Sequence, residues 1–258
     1  MSDVLEPVSR AAADSILDRE SNERDHVVVA LSGAHAYGFP SPDSDLDVKA
    51  VHIAPSTHFF GLGKPEREAN FIELVGDVEV DYTSNELGGV VRGLLDGNGN
   101  YLERVLGAHP LRRDPLWEEL AELTRAALSR RYLRHYRGFA LNQLHRVQRS
   151  ERPAAKQVLY VLRTALTGTH LLKTGELVAD VTLLLDDYGY GDARELVEAK
   201  RQGERMPLDP HVKGAWLGRL DAAIAGLDEV EPNSPLPPEA DEAPFDAWLV
   251  RTRRARLA

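Results

Sequence analysis

The sequence predicts an α+β protein: a small mixed β-sheet domain with flanking helices, followed by an all-helical domain. Three observations predict it. Strand-like segments, both continuous apolar runs and alternating ones, are confined to residues 1–114. From residue 115 apolar positions recur at helical spacing only. Near the end, five prolines between 232 and 244 and a run of acids interrupt the helical pattern. The expected organisation is a first domain over 1–114, a helical domain over 115–230, and a Pro-rich acidic linker with a short C-terminal helix over 231–258.

The elements follow in order. Leu5, Val8, Ala12 and Ile16 have helical spacing and predict a first helix to about residue 20, ended by SNERD. HVVVALSG reads as a buried strand, Val27 to Leu31, running into glycine. GAHAYGFPSPDSD is turn-rich, with room for a short helix after Gly33. DLDVKAVHI is a second strand from Asp45. FIELV and VEVDYT flank Gly76-Asp77, a pair suited to a tight hairpin turn. Helices are expected at 85–96, 100–107, 114–127, 129–150, 153–174, 180–187, 191–202 and 211–228. The end, FDAWLVRTRRARLA, docks by Phe245, Trp248 and Leu249.

Composition narrows the function classes. The 258 residues hold 41 Asp and Glu against 31 Lys and Arg, a formal charge of −10, and no cysteine. Disulfides, thiolate metal sites and cysteine nucleophiles are excluded. No apolar run approaches the ~20 residues of a membrane span, and the N-terminus lacks the pattern of a signal peptide, so a cytoplasmic protein is expected. The acid excess disfavours broad coating by nucleic acid. The nine histidines show no zinc spacing, and His52 reads as packed within its strand.

Asp45 and Asp47 alternate with Leu46 and Val48, so the two carboxylates share one strand face, with Cα atoms roughly 6.5 Å apart. Such a pair can hold a divalent ion or bridge two, and Mg²⁺ suits its oxygen ligands. The bland alternative is two solvated acids on a sheet edge. Glu79 and Asp81 share a face of a neighbouring strand, and either can complete a three-carboxylate site.

The string GAHAYGFPSPDSDLDVKAVHI resembles the DNA-polymerase-β-like nucleotidyltransferase superfamily, and within it the predicted nucleotidyltransferases that include the RNA-ligase-associated type. Members typically read Gly-Ser-(Arg or His)-Ala-(Tyr or Trp)-Gly, a short turn, then Ser-Asp-x-Asp and an aliphatic residue. The likeness continues through Asp81, Asn98 and Leu102-Glu103, and a Lys…Tyr…Arg helix is echoed in AAKQVLYVLRTAL. The sequence departs from the pattern at Ala34, where the family has a serine whose hydroxyl binds phosphate.

The resemblance implies a nucleoside triphosphate with its phosphates over Ser32, Gly33 and Ala34, and Ser44 as a further donor. It implies two Mg²⁺ ions on Asp45, Asp47 and Asp81, with Asp81 preferred to Glu79 because it aligns with the family position. An acceptor hydroxyl then attacks the α-phosphorus and pyrophosphate leaves. Lys156, Tyr160 and Arg163, spaced four and three apart on one helix face, read as a nucleotide clamp or as an ordinary amphipathic surface.

Residues 125–152 contain eight arginines (125, 130, 131, 134, 137, 146, 149 and 152) and Glu151 as the one acid. The Arg125–Arg152 stripe either receives an RNA backbone or pairs with acids elsewhere in the chain. The function expected is nucleotidyl transfer to an RNA end, with adenylylation of a partner protein, modification of a small hydroxylated molecule and a non-catalytic nucleotide or RNA sensor as alternatives.

Overall fold

The computed structural model describes residues 4–60, 62–203 and 207–257. Gly61 and residues 1–3 lie outside the described residues. The chain forms two compact units. One comprises Met1–Gly33, Asp45–Ala127 and Glu239–Ala258, and the other Ala34–Ser44 and Leu128–Pro238.

The first unit is built on a five-stranded sheet. Its strands are β1 (Asp25–Leu31), β2 (Leu46–Ile53), β3 (Glu68–Val75), β4 (Val78–Glu86) and β5 (Pro110–Arg113), in the order β3-β4-β2-β1-β5. β2 runs parallel to β4 and antiparallel to β1, so the sheet is mixed. Val27 to Leu31 are all buried, as the continuous apolar run requires. In β2 and β4 alternation leaves Leu46, Val48, Val80 and Tyr82 in the core. β3 and β4 meet at Val75–Val78 across Gly76-Asp77, with Gly76 at φ +61. Glycine at the first central position is the II′ form, whose twist matches the flanking strands.

Around the sheet lie α1 (Pro7–Glu23), α3 (Leu87–Leu95), α4 (Gly99–Leu106), α5 (Leu116–Ala126) and α10 (Ala243–Ala255). The Glu86 carboxylate caps α3 through Gly88 N at 2.7 Å and receives Arg253 of α10 at 2.9 Å. With Phe245 and Trp248 buried and Leu249 half-buried, α10 is packed into this unit. The second unit holds the five-residue α2 (Gly33–Tyr37, from Ala34 on), α6 (Tyr132–Arg149), α7 (Ala155–Thr174), α8 (Arg194–Arg201) and α9 (Pro210–Val230). No helix among the described residues is long and apolar enough to cross a membrane.

Three local expectations are corrected. β5 is a strand that the sequence did not announce: PLRR has no alternation and is extended because it pairs with Val28–Ala30 of β1. The helix expected over 180–187 is a 3-10 turn at Val181–Leu183, because the Asp180 carboxylate accepts from Thr182 N at 2.9 Å and closes a tight turn. The helix expected from 191 begins at Arg194, after a 3-10 turn at Gly191–Ala193.

Two sheet histidines make the first unit acid-sensitive. Burial, then the Arg24 guanidinium, holds His26 at about 4, well below its ordinary value. Burial also lowers His52, whose Nδ1 lies 2.8 Å from Ser84 Oγ and whose Nε2 donates to the Glu66 carbonyl at 3.0 Å. The folded state therefore favours the neutral rings. The stabilisation from His26 is fully present above the unfolded value near 6.5 and is lost as pH falls towards 4, and His52 acts in the same direction. Urea unfolding should show stability falling by up to ~1.4 kcal/mol per pH unit from His26 in that window, and His26→Gln should reduce the slope. An unchanged slope would refute the assignment.

Candidate active site

Strand pairing fixes the centre of the site. Ser32 N donates to the Asp47 carbonyl at 2.9 Å, so the β1–β2 pairing reaches the turn. Gly33 follows at φ +62, and the Asp47 carboxylate packs on its backbone: a Cβ there would lie 2.7 Å from Asp47 Cγ. Asp47 and Asp81 are direct register partners across the parallel β2–β4 pair. Adjacent strands lie about 4.8 Å apart and partners project to the same face, so the two carboxylates are neighbours.

Lys49, one alternation further along β2, completes the arrangement. Its Nζ lies 2.8 Å from Asp81 Oδ1 and 3.7 Å from Asp47 Oδ1, and donates to the Asp81 carbonyl and Thr83 Oγ1, each at 3.3 Å. The side chains are 18% exposed for Lys49, 27% for Asp47 and 38% for Asp81, so solvent reaches the carboxylates while the lysine lies deeper. Sequence reasoning missed Lys49, although period-two alternation from Asp45 and Asp47 places it on their face.

Asp45 precedes β2 rather than opening it, and is exposed. Among the described residues no group of three or more His, Asp or Glu comes together as a metal-ligand set. Glu79 is exposed, with Leu74 as its register partner. The Asp47–Asp81 pair still fits a hard cation: its donors are carboxylate oxygens, and positive charge already lies against both in the form of the Lys49 ammonium.

The remaining proposed nucleotide-side residues belong to the second unit. Ala34 is buried. The Ser44 hydroxyl is engaged within its own turn, accepting from Ser41 N at 3.0 Å and from Nζ of the fully buried Lys200 at 2.9 Å. Lys200 also donates to Ser41 Oγ at 2.5 Å. On α7, Lys156 Nζ sits 5.7 Å from the Tyr160 ring centroid. Tyr160 meets Tyr37 and Phe39 edge-on at 5.8 and 5.6 Å, and the Arg163 guanidinium lies 3.5 Å over the Tyr37 ring. Arg163 is 4% exposed, which makes it part of this aromatic cluster rather than a solvated surface charge.

The arginine stripe divides. Arg130 pairs with Glu231 at 3.5 Å and Arg137 with Asp228 at 2.9 Å. Arg134, Arg146 and Arg149 are exposed and their side chains form no ion pair among the described residues.

The mixed sheet, the glycine turn and the paired aspartates define a polymerase-β-like nucleotidyltransferase. A model of the RNA repair pathway DNA polymerase beta family matches residues 10–251, and the chain belongs to that family. It is similar to the uncharacterized protein MJ0002 of Methanocaldococcus jannaschii, 28% identical over 220 residues that cover 84% of this chain and 88% of the relative. It is also similar to the uncharacterized protein YcgL of Bacillus subtilis, 27% identical over 209 residues that cover 72% of this chain and 74% of the relative. A solved structure, a nucleotidyltransferase-like protein from Exiguobacterium sibiricum, aligns over 95% of this chain and 80% of its own with 12% identity and a TM-score of 0.35.

Proposed function

We propose that this chain transfers a nucleoside monophosphate from a nucleoside triphosphate to an acceptor hydroxyl on an RNA end, with Mg²⁺ held by Asp47 and Asp81 and, on the outer side, Asp45. The observation behind this reading is the Asp47–Asp81 register pair, with the Lys49 ammonium bridging both carboxylates, in a member of this family. When bound, Mg²⁺ supplies charge stabilisation at the attacking and leaving oxygens and makes the acceptor hydroxyl more acidic.

The chain's residues orient that chemistry. The Ser32-Gly33-Ala34 turn offers backbone N–H groups to the phosphates, and the bare Gly33 leaves room for the Asp47 carboxylate beside it. The acceptor hydroxyl gives up its proton to water as its oxygen bonds to the α-phosphorus, the bond from that phosphorus to the oxygen it shares with the β-phosphate breaks, and pyrophosphate departs. Lys156, Tyr160, Arg163 and Ser44 are proposed nucleotide-side residues of the second unit.

The deciding experiment incubates the chain with α-labelled nucleoside triphosphates, Mg²⁺, total RNA and lysate protein side by side. Label in RNA that is lost in Asp47→Ala supports the proposal. Label in a protein replaces RNA with a protein acceptor. Nucleotide binding without transfer to any acceptor would mean a non-catalytic nucleotide binder.

Lys49 gives an independent check on the cation site. Lys49→Met leaves two neighbouring carboxylates without their shared counter-charge, and should lower stability by about 1 kcal/mol without divalent ions. Added Mg²⁺ should recover that loss, so that it raises Tm more in Lys49→Met than in the wild type. An equal Mg²⁺ response in both would argue against ion binding between Asp47 and Asp81.

A further inference from the structure

We infer that the solvent-facing stripe of α6 is a docking surface for single-stranded RNA, with a base stacked on the Phe139–His135 ring pair and phosphates on Arg146 and Arg149. The inference rests on the RNA acceptor proposed above for the identity of its partner. The surface itself follows from the helix.

Tyr132, Tyr136, Ala140, Leu144 and Val147 are the buried positions of α6. His135, Phe139, Asn142, Arg146 and Arg149 are spaced four, three, four and three apart, which aligns them along a different stripe of the same helix. Asn142, Arg146 and Arg149 are exposed, and Phe139 is 38% exposed. The Phe139 and His135 rings are near-parallel, with centroids 5.8 Å apart and planes at 13°. An aromatic held parallel to its neighbour and open to water presents a flat face, and every base has a π-face to place on it.

Gly138 lies on the same stripe, and a Cβ there would meet nothing within 4 Å. Glycine weakens a helix interior, and here no clash requires it. What it leaves is open backbone beside the rings.

Charge points to a polyanion. The chain carries −10 overall, yet residues 125–152 hold eight arginines against one acid. The two arginines of α6 beyond the rings, Arg146 and Arg149, have no ion pair among the described residues, whereas Arg137, on another side of the helix, is paired with Asp228. Asn142, between the rings and the arginines, can both donate to and accept from a base edge. A duplex offers phosphates but no free base face, so the combination selects a single strand.

The test measures anisotropy of a labelled single-stranded RNA of about 12 nucleotides on the full chain over a range of salt, beside a duplex of equal length and polyglutamate as competitor. The single strand should bind more tightly than the duplex and resist the competitor. Phe139→Ala, which removes a partly exposed ring, should weaken binding at least about fivefold with the salt dependence kept. Arg146→Gln with Arg149→Gln should lower the salt slope by about 1.4. Equal affinity for duplex, full displacement by polyglutamate, or wild-type binding by Phe139→Ala would overturn the inference. Asp47→Asn separates the two readings. If it binds RNA normally while the wild type transfers no label, the surface stands and the transferase reading falls. If the wild type labels RNA and Phe139→Ala does so with an unchanged KM for RNA, the reverse holds.

Discussion

Asp47→Asn is expected to reduce nucleotidyl transfer about 10³-fold while leaving the chain folded. Asparagine keeps the shape of the side chain and removes its charge. On the proposed mechanism the lost term would be stabilisation of charge developing on the transferring phosphate, worth several kcal/mol at a metal-assisted site, and about 4 kcal/mol corresponds to three decades in rate. The fold tolerates the change because Asp47 is 27% exposed and Lys49 keeps its shorter contact to Asp81. Asp81→Asn should show a loss of the same order, and the double variant little more than either alone, because the pair acts as one unit. The measurement is initial-rate label transfer at saturating Mg²⁺, with circular dichroism as the folding check. A loss under tenfold for both single variants would remove the pair from the chemistry.

Gly33→Ala should come close to that effect for a different reason. Gly33 and Gly76 have nearly the same left-handed backbone, φ +62 and φ +61, so alanine costs about 1–2 kcal/mol of strain at either place. At Gly76 the added methyl meets nothing within 4 Å, whereas at Gly33 it collides with the Asp47 carboxylate. Gly76→Ala should therefore lose stability only. Gly33→Ala should lose stability and also about 10²-fold in transfer, since a carboxylate displaced by about 1 Å is enough for such a loss. Thermal melts and label transfer on the two variants separate backbone strain from displacement of Asp47. Equal activity in the two would mean that Asp47 need not lie against the turn.

The contrast between these glycines also marks how far the sequence reaches. A tight turn at Gly76-Asp77 was legible because two-residue hairpins demand a residue that tolerates positive φ. Strand alternation put Asp47 opposite in face to Leu46 and Val48 and reaches Lys49 by one more step along β2, whereas the choice of Asp81 over Glu79 on the neighbouring strand came from the family resemblance and not from alternation. β5 was not legible. Pro110–Arg113 is a strand only because β1 lies beside it, and no local pattern encodes a partner. The turn after Asp180 was hidden by an apolar run, LLL, whose helical preference is outweighed by one side-chain-to-backbone bond. Spacing left Arg163 as either a nucleotide clamp or a solvated surface charge, because it reports which helix face a residue occupies, not what covers that face. Its cover is Tyr37, more than a hundred residues earlier in the chain.

The alternation of the two units along the chain affects the order in which the protein can be completed. The polypeptide passes between them four times, after Gly33, Ser44, Ala127 and Pro238. A nascent chain released at Ala127 has all five strands but not α10, so the core positions of Phe245 and Trp248 stay empty. It also holds the Ala34–Ser44 segment before Tyr160, Arg163 and Lys200 exist to pack against it. The sheet unit is thus closed by α10, which is made after α6, α7, α8 and α9 of the other unit, and the Ala34–Ser44 segment gains these packing partners only once α7 and α8 have been synthesised. Neither unit is one continuous stretch of chain, so no single cut separates the strands that carry the carboxylates from the helices that follow them without dividing a unit.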